Sequence, residues 1–326
     1  MVLSLKGDLD HYAKSLHLRH DSSNQFCDLC PAAYHSTIGL NPLNFGPTCT
    51  WQRLTYSSSE WFGLYQDTFL HWVFGLVGVS NHMIEPDELH VLYLGVSGWF
   101  LGSVLWVLVY DVMDKDASSN MDTLWEFTTT FYSEHSVANR FGNLNIKSFT
   151  DPQAPTKDFP KLKGKGAELK DFACVALAAW LHFNKSRSAN ASRILNALRL
   201  YSEAQDLIHE HKDDMFIPLD KVPAFQKCIG DFLLDYTALA RAADRSKKLL
   251  WNTVPKLHWM YHFGVRAKFL CPRVGSTFLD EDFMGRLRTM THASAFACES
   301  HRGTTKMVEP YVWVQHVLVQ DACDEG

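Results

Sequence analysis

The 326 residues carry a net charge of −5, with 46% hydrophobic and 21% charged side chains and with ten Trp and 21 Phe. A chain of this length and apolar content buries roughly three-quarters of its unfolded surface, which excludes a disordered polymer and allows one large or two modest domains. The acidic balance excludes a molecule that grips nucleic acid over its whole surface, so any such contact has to use local basic patches.

Val2-Leu3-Ser4-Leu5 reads as a short buried strand that delivers Asp8 at its carboxyl end, with Asp8 or Asp10 capping a helix from Leu9. Residues 21–47 are rich in Ser, Asn, Gly and Pro and form a loop-rich insert around Cys27 and Cys30. Aromatic residues at helical spacing predict a helix over 60–77. Pro86 then opens another, with acids in its first turn and no charge over 91–110, long enough for a membrane span. Its flanks, with Glu85, Asp87, Glu88, Asp111, Asp114 and Asp116, are acidic and give no positive-inside signal, so the expectation is a soluble core helix and no membrane. Gly98 and Gly102 within it suit close helix packing.

A helix follows over 122–134. Residues 141–166 lose periodicity and gather Pro152, Pro155 and Pro160, as a linker would. Residues 167–254 hold three stretches with three-to-four apolar spacing, at 167–183, 189–210 and 222–250, read as an antiparallel helical stack. Residues 255–326 follow, with further helices expected around 284–299 and 309–319. The fold class is therefore α-rich α+β.

Asp87 and His90, three apart on a helix, share a face on which the carboxylate can orient the imidazole. Cys27-x-x-Cys30 supplies half a tetrahedral zinc site, and His17-x-x-His20 is the attractive completing pair, with His35 and Cys49 as alternatives. His258 and His262, four apart, also suit a metal if a third ligand faces them. Glu281 lies between apolar neighbours that favour an inward-facing acid. Eight cysteines without a signal peptide read as reduced intracellular thiols. Basic clusters at Lys161, Lys163 and Lys165, at Arg241, Arg245, Lys247 and Lys248, and at Arg266, Lys268 and Arg273 are the candidate DNA contacts.

In order, Gly7-Asp8, Cys27-x-x-Cys30, Asp87-x-x-His90 with Leu94-Gly95-Val96, Pro255-Lys256-x-His258-x-x-x-His262 and Glu281-x-Phe283-x-Gly285 resemble the landmarks of CACTA-type eukaryotic DNA transposases. The resemblance implies a truncated RNase H-like core (1–140 and 255–326) with a large all-helical insertion, a nuclear location, and DNA strand cleavage and transfer. It implies Asp8 and Glu281 as Mg²⁺ ligands, with Asp87 and His90 in support. It also places a first catalytic aspartate upstream of Gly7, where the sequence begins at Met1, so the acidic site is expected to be incomplete and the chain inactive alone. The competing expectations are a non-catalytic helical interaction protein and a membrane-associated protein.

Overall fold

In the computed structural model, which describes residues 4–278, Leu5–Gly7 forms strand β1, and Asp8 turns the chain into helix α1, Leu9–Ser15. Asp8 does so as an N-cap, accepting a hydrogen bond from the His11 amide at 2.5 Å. β1 pairs in parallel with β2, Ile84–Pro86, in the register Leu5 to Ile84, Lys6 to Glu85 and Gly7 to Pro86. The Tyr12 hydroxyl of α1 reaches the carbonyl oxygens of Leu5 at 2.8 Å and Glu85 at 2.5 Å, so one buried side chain fastens the helix to both strands. Among the described residues this two-stranded sheet stands in an otherwise helical architecture.

Parallel strands require a crossover, and this one runs from residue 16 to residue 83. It holds α2, Ser58–Gly63, opened by a capping box in which Ser57 and Glu60 exchange hydrogen bonds. The helix expected over 60–77 stops there; beyond it lie turns and a 3₁₀ turn at Trp72–Gly75. The fold-back puts Phe74 against Trp61 with centroids 5.0 Å apart, whereas a continuous helix would separate them by about 20 Å.

Helix α3, Leu89–Val112, is α-helical over Gly98–Val107 and wide-turned, with i→i+5 bonding, over Leu89–Ser97 and Leu108–Val112. It is long and apolar enough to cross a membrane, but 89% of its most apolar window is buried inside the protein. That is the packing of a core helix. Gly98 and Gly102 accept an extended segment rather than a second helix: the Leu162 amide donates to the Gly98 carbonyl at 2.8 Å, and a Cβ on Gly102 would lie 2.7 Å from the Leu162 nitrogen. The segment expected as a linker is thus seated on α3, and Leu144, Phe149 and Leu162 within it are buried.

Helix α4, Ala117–Glu134, starts at an Asp116 cap. Helices α5, Gly166–Phe183, α6, Ala189–Glu210, and α7, Val222–Arg245, pack in succession as the apolar spacing predicts. α7 ends before residue 250 because Lys247 and Trp251 take positive φ, which lets Trp251 pack near Phe100 of α3 and Tyr236 of α7. Helix α8, Pro255–Arg266, follows with Pro255 in its first turn, where the missing amide costs nothing. The chain divides into two compact units, Met1–Ser276 and Thr277–Gly326, and every element named above belongs to the first. Glu281 and the two helices expected after it lie outside the described residues.

Candidate metal centre and acidic site

Cys27 and Cys30 lie on the crossover, and His258 and His262 project from successive turns of α8. Their four ligand atoms all fall within 4.8 Å of one another, so they can hold a metal ion. Cys27 Sγ is 3.3 Å from His262 Nε2, Cys30 Sγ is 3.4 Å from His258 Nε2, and the two Nε2 atoms are 3.1 Å apart. All four residues are buried. The His258 Nδ1 lies 3.3 Å from the Pro42 carbonyl oxygen, an acceptor that holds the proton there and leaves Nε2 with its lone pair. The Leu29 amide donates to Cys27 Sγ at 3.4 Å, as it would to a thiolate.

Around this cluster the protein excludes water. Trp51 lies 4.2 Å from the His258 ring between centroids, and Phe26 meets the same ring edge-on. Burial pushes the Cys27 thiol up and the His262 imidazole down in pKa, so the neutral pair is favoured until a cation supplies the charge that makes thiolates. Asp28, between the two cysteines, accepts hydrogen bonds from Trp61 Nε1 at 3.0 Å, Tyr65 Oη at 2.6 Å and Arg19 Nε at 3.3 Å. Burial raises its pKa, and the Arg19 charge opposes that shift. Arg19 also donates to the Cys27 carbonyl, and Asn81 donates to the carbonyls of Asp28 and Tyr56. The Cys-x-x-Cys turn is therefore held in shape by residues from three other segments.

The expected partners His17 and His20 are not in this cluster. Both are exposed: His17, at positive φ, packs against Phe69, and His20 bonds Ser22 and Asp21. His35 is exposed as well, and Cys49 is buried outside the set. No disulfide joins the six cysteines among the described residues.

The acidic site stands where the sheet ends. Asp8 follows β1 and Asp87 follows the adjacent strand β2, and His90 from the first turn of α3 lies between them. The Asp87 carboxylate accepts from His90 Nδ1 and, at 3.2 Å, from the His90 amide. The other ring nitrogen, Nε2, is 3.9 Å from Asp8 Oδ2. Asp10 instead faces solvent in an ion pair with Lys14. The Asp87 bond, opposed by burial and aided by the charges of Asp87 and Asp8, raises the His90 pKa. The imidazole thus separates the two carboxylates, and among the described residues their oxygens do not gather into a cation cage of the kind Mg²⁺ needs.

The raised pKa has a signed consequence. A proton taken up more readily in the folded state stabilises it below the unfolded imidazole value, about pH 6.5, and that stabilisation fades as pH climbs through the folded value. His90→Gln is therefore expected to cost on the order of 1–2 kcal/mol in mildly acidic buffer and progressively less as pH rises. Urea unfolding of both proteins across this range checks it, and a pH-independent difference would contradict a charged bridge.

Lys256 of α8 lies beside this site, its Cδ 2.5 Å from where a Cβ on Gly95 would be. Burial lowers its pKa, as does nearby Lys161. Three of the cations expected at a DNA surface are engaged within the fold: Arg266 bonds buried Glu85 at 2.7 Å, Arg273 approaches Glu88 at 3.4 Å, and Lys248 pairs with Asp111 at 2.6 Å. No protein-family model, curated protein or solved structure matches the chain.

Proposed function

We propose that this chain is a transposase-derived, RNase H-like scaffold, bound together by a structural Zn²⁺ and incomplete as a catalyst of phosphodiester chemistry. The observation that carries the reading is the placement of Asp8 and Asp87 at the carboxyl ends of adjacent parallel strands, with His90 between them. That ending of the strands is where an RNase H-like core gathers its acids. It also argues against chance matches in an unrelated helical protein.

Zn²⁺ suits the other cluster. Ligand distances of 2.0–2.1 Å to nitrogen and 2.3 Å to sulfur imply tetrahedron edges of about 3.3–3.8 Å. The separations of 3.1, 3.3 and 3.4 Å lie close to that range, and the S₂N₂ donor set is the one zinc favours. With all four positions filled by protein, the ion would have no open site for substrate, so its role is to tie α8 to the crossover.

Incompleteness is supported by the position of His90 between Asp8 and Asp87, two carboxylates that a two-metal mechanism would need to share. The chain is expected to show no Mg²⁺-dependent cleavage or strand transfer on DNA. Robust activity that disappears in Glu281→Gln would show instead that the acidic site is complete. The interaction-protein reading draws its support from Phe69 and Trp72, which are 74% and 69% exposed on the crossover.

A further inference from the structure

Three lysines gather at a second site. Lys147, Lys161 and Lys163 line a cavity of about 640 Å³ together with Trp99 and Phe159. None of the three lysines forms an ion pair with a described residue, unlike Arg266, Arg273 and Lys248. Their arrangement is built in advance. The Lys161 amide donates to the Phe149 carbonyl and the Lys163 amide to the Ser148 carbonyl, each at 2.8 Å, which fixes the two lysine-bearing segments side by side. Trp106 Nε1 holds the intervening loop through the Pro155 carbonyl at 2.8 Å.

Lys161 is also the link to the acidic site. Its stem lies over Gly98, with Cε 3.3 Å from a Cβ placed there, and its Nζ stands 5.0 Å from the centre of the Trp99 ring. One helical turn nearer the start of α3, the Lys256 stem lies over Gly95. Two ammonium groups thus follow one glycine-lined face of α3, from beside His90 to an aromatic-walled cavity. Cations gathered beside a ring surface suit a strand that offers phosphates and unstacked bases, whereas a duplex keeps its bases paired and stacked. Asp151 and Asp158 at the cavity wall would disfavour dense anions that have no base to stack.

We propose that the cavity bounded by Trp99, Lys147, Phe159, Lys161 and Lys163 binds single-stranded nucleic acid, with Lys161 and Lys256 directing the strand toward Asp8 and Asp87. The direction of the path rests on the function proposed above; the cavity as a binding site does not.

The test is fluorescence anisotropy of labelled oligo(dT) on the full, zinc-loaded chain, over a salt series, with the matching duplex and inorganic polyphosphate as competitors. The triple variant Lys147→Gln, Lys161→Gln, Lys163→Gln is expected to weaken binding about a hundredfold at low salt and to flatten the log–log salt slope by about two. Trp99→Leu is expected to weaken it about tenfold while leaving the slope unchanged. Lys227→Gln, which removes an exposed cation of α7 that lines neither the cavity nor the acidic site, should hold oligo(dT) affinity within about twofold. Polyphosphate competing as well as oligo(dT), or a duplex binding more tightly, overturns the proposal. So does the absence of binding, or binding indifferent to the triple variant. Loss of binding in Lys227→Gln with the triple variant unaffected would place the strand on α7, overturning the cavity while sparing the proposed function. Absence of cleavage activity leaves the cavity result unaffected.

Discussion

Chelation or loss of one cysteine ligand is expected to release a single bound zinc and to remove on the order of 4 kcal/mol of stability, the linkage value for an ion present at a thousand times its dissociation constant. The effect is large because the cluster is a principal tie between the crossover and α8, and because two buried thiols and two buried imidazoles would be left crowded around a vacated centre. Cys30→Ser and His258→Ala should each lower metal content, measured by mass spectrometry of the purified protein, and shift thermal unfolding to lower temperature. Cobalt substitution should give the visible absorption of a tetrahedral S₂N₂ ion. Cys49→Ser and the pair His17→Gln, His20→Gln should retain metal, since all three residues lie outside the cluster. Retention of full metal in Cys30→Ser would contradict the assignment of that ligand.

Arg266→Met is the second change with a large expected effect, costing about 3–5 kcal/mol. Glu85 is wholly buried at the centre of β2, under Gly275, where even a Cβ would come within 2.8 Å of its Cγ. Its Oε2 takes hydrogen-bond donation from Arg266, which also donates to the His82 carbonyl at 2.9 Å. Burial already pushes the Glu85 pKa up, and the Arg266 charge is the main restraint on that rise. Without the guanidinium the folded carboxyl would keep its proton while the unfolded one ionises. The loss should therefore deepen as pH rises above the unfolded glutamate value of about 4.3. Adding Glu85→Gln to Arg266→Met should recover part of the loss, because the amide brings no buried charge. Denaturant unfolding of the two single variants and the double checks this; simple additivity would mean that the two side chains are not coupled.

Much of the helical frame was legible in the sequence, since three-to-four apolar spacing and caps are local properties. Asp8 caps α1 as expected, and the boundaries of α6 coincide with those the spacing predicts, whereas α4 starts at Ala117 behind its Asp116 cap and not at residue 122. The helix expected over 60–77 failed because its aromatic residues satisfy a demand that spacing cannot express: Trp61 and Tyr65 turn inward to bond Asp28. The candidate metal centre was legible only in halves. Three-apart cysteines and four-apart histidines announce themselves, but spacing says nothing of which pair meets which, and the nearer His17 and His20 are the natural local choice. Asp28 was missed, its one visible mark being an acid inside a Cys-x-x-Cys spacer. The role of His90 as a divider between the carboxylates depends on strand pairing, which joins residues 5–7 to 84–86 and has no local signature.

The cysteines of the candidate metal centre precede its histidines by 228 and 235 positions. During synthesis the thiols leave the ribosome long before α8 is made, and at about 5–20 residues per second the wait is roughly 11–47 seconds. Through that interval Cys27 and Cys30 are two neighbouring thiols able to close on each other or on an oxidant. The late arrival of His258 and His262 thus makes the yield of correctly assembled protein depend on the redox state of the cell that translates it, and expression under oxidising conditions should accumulate metal-free chains.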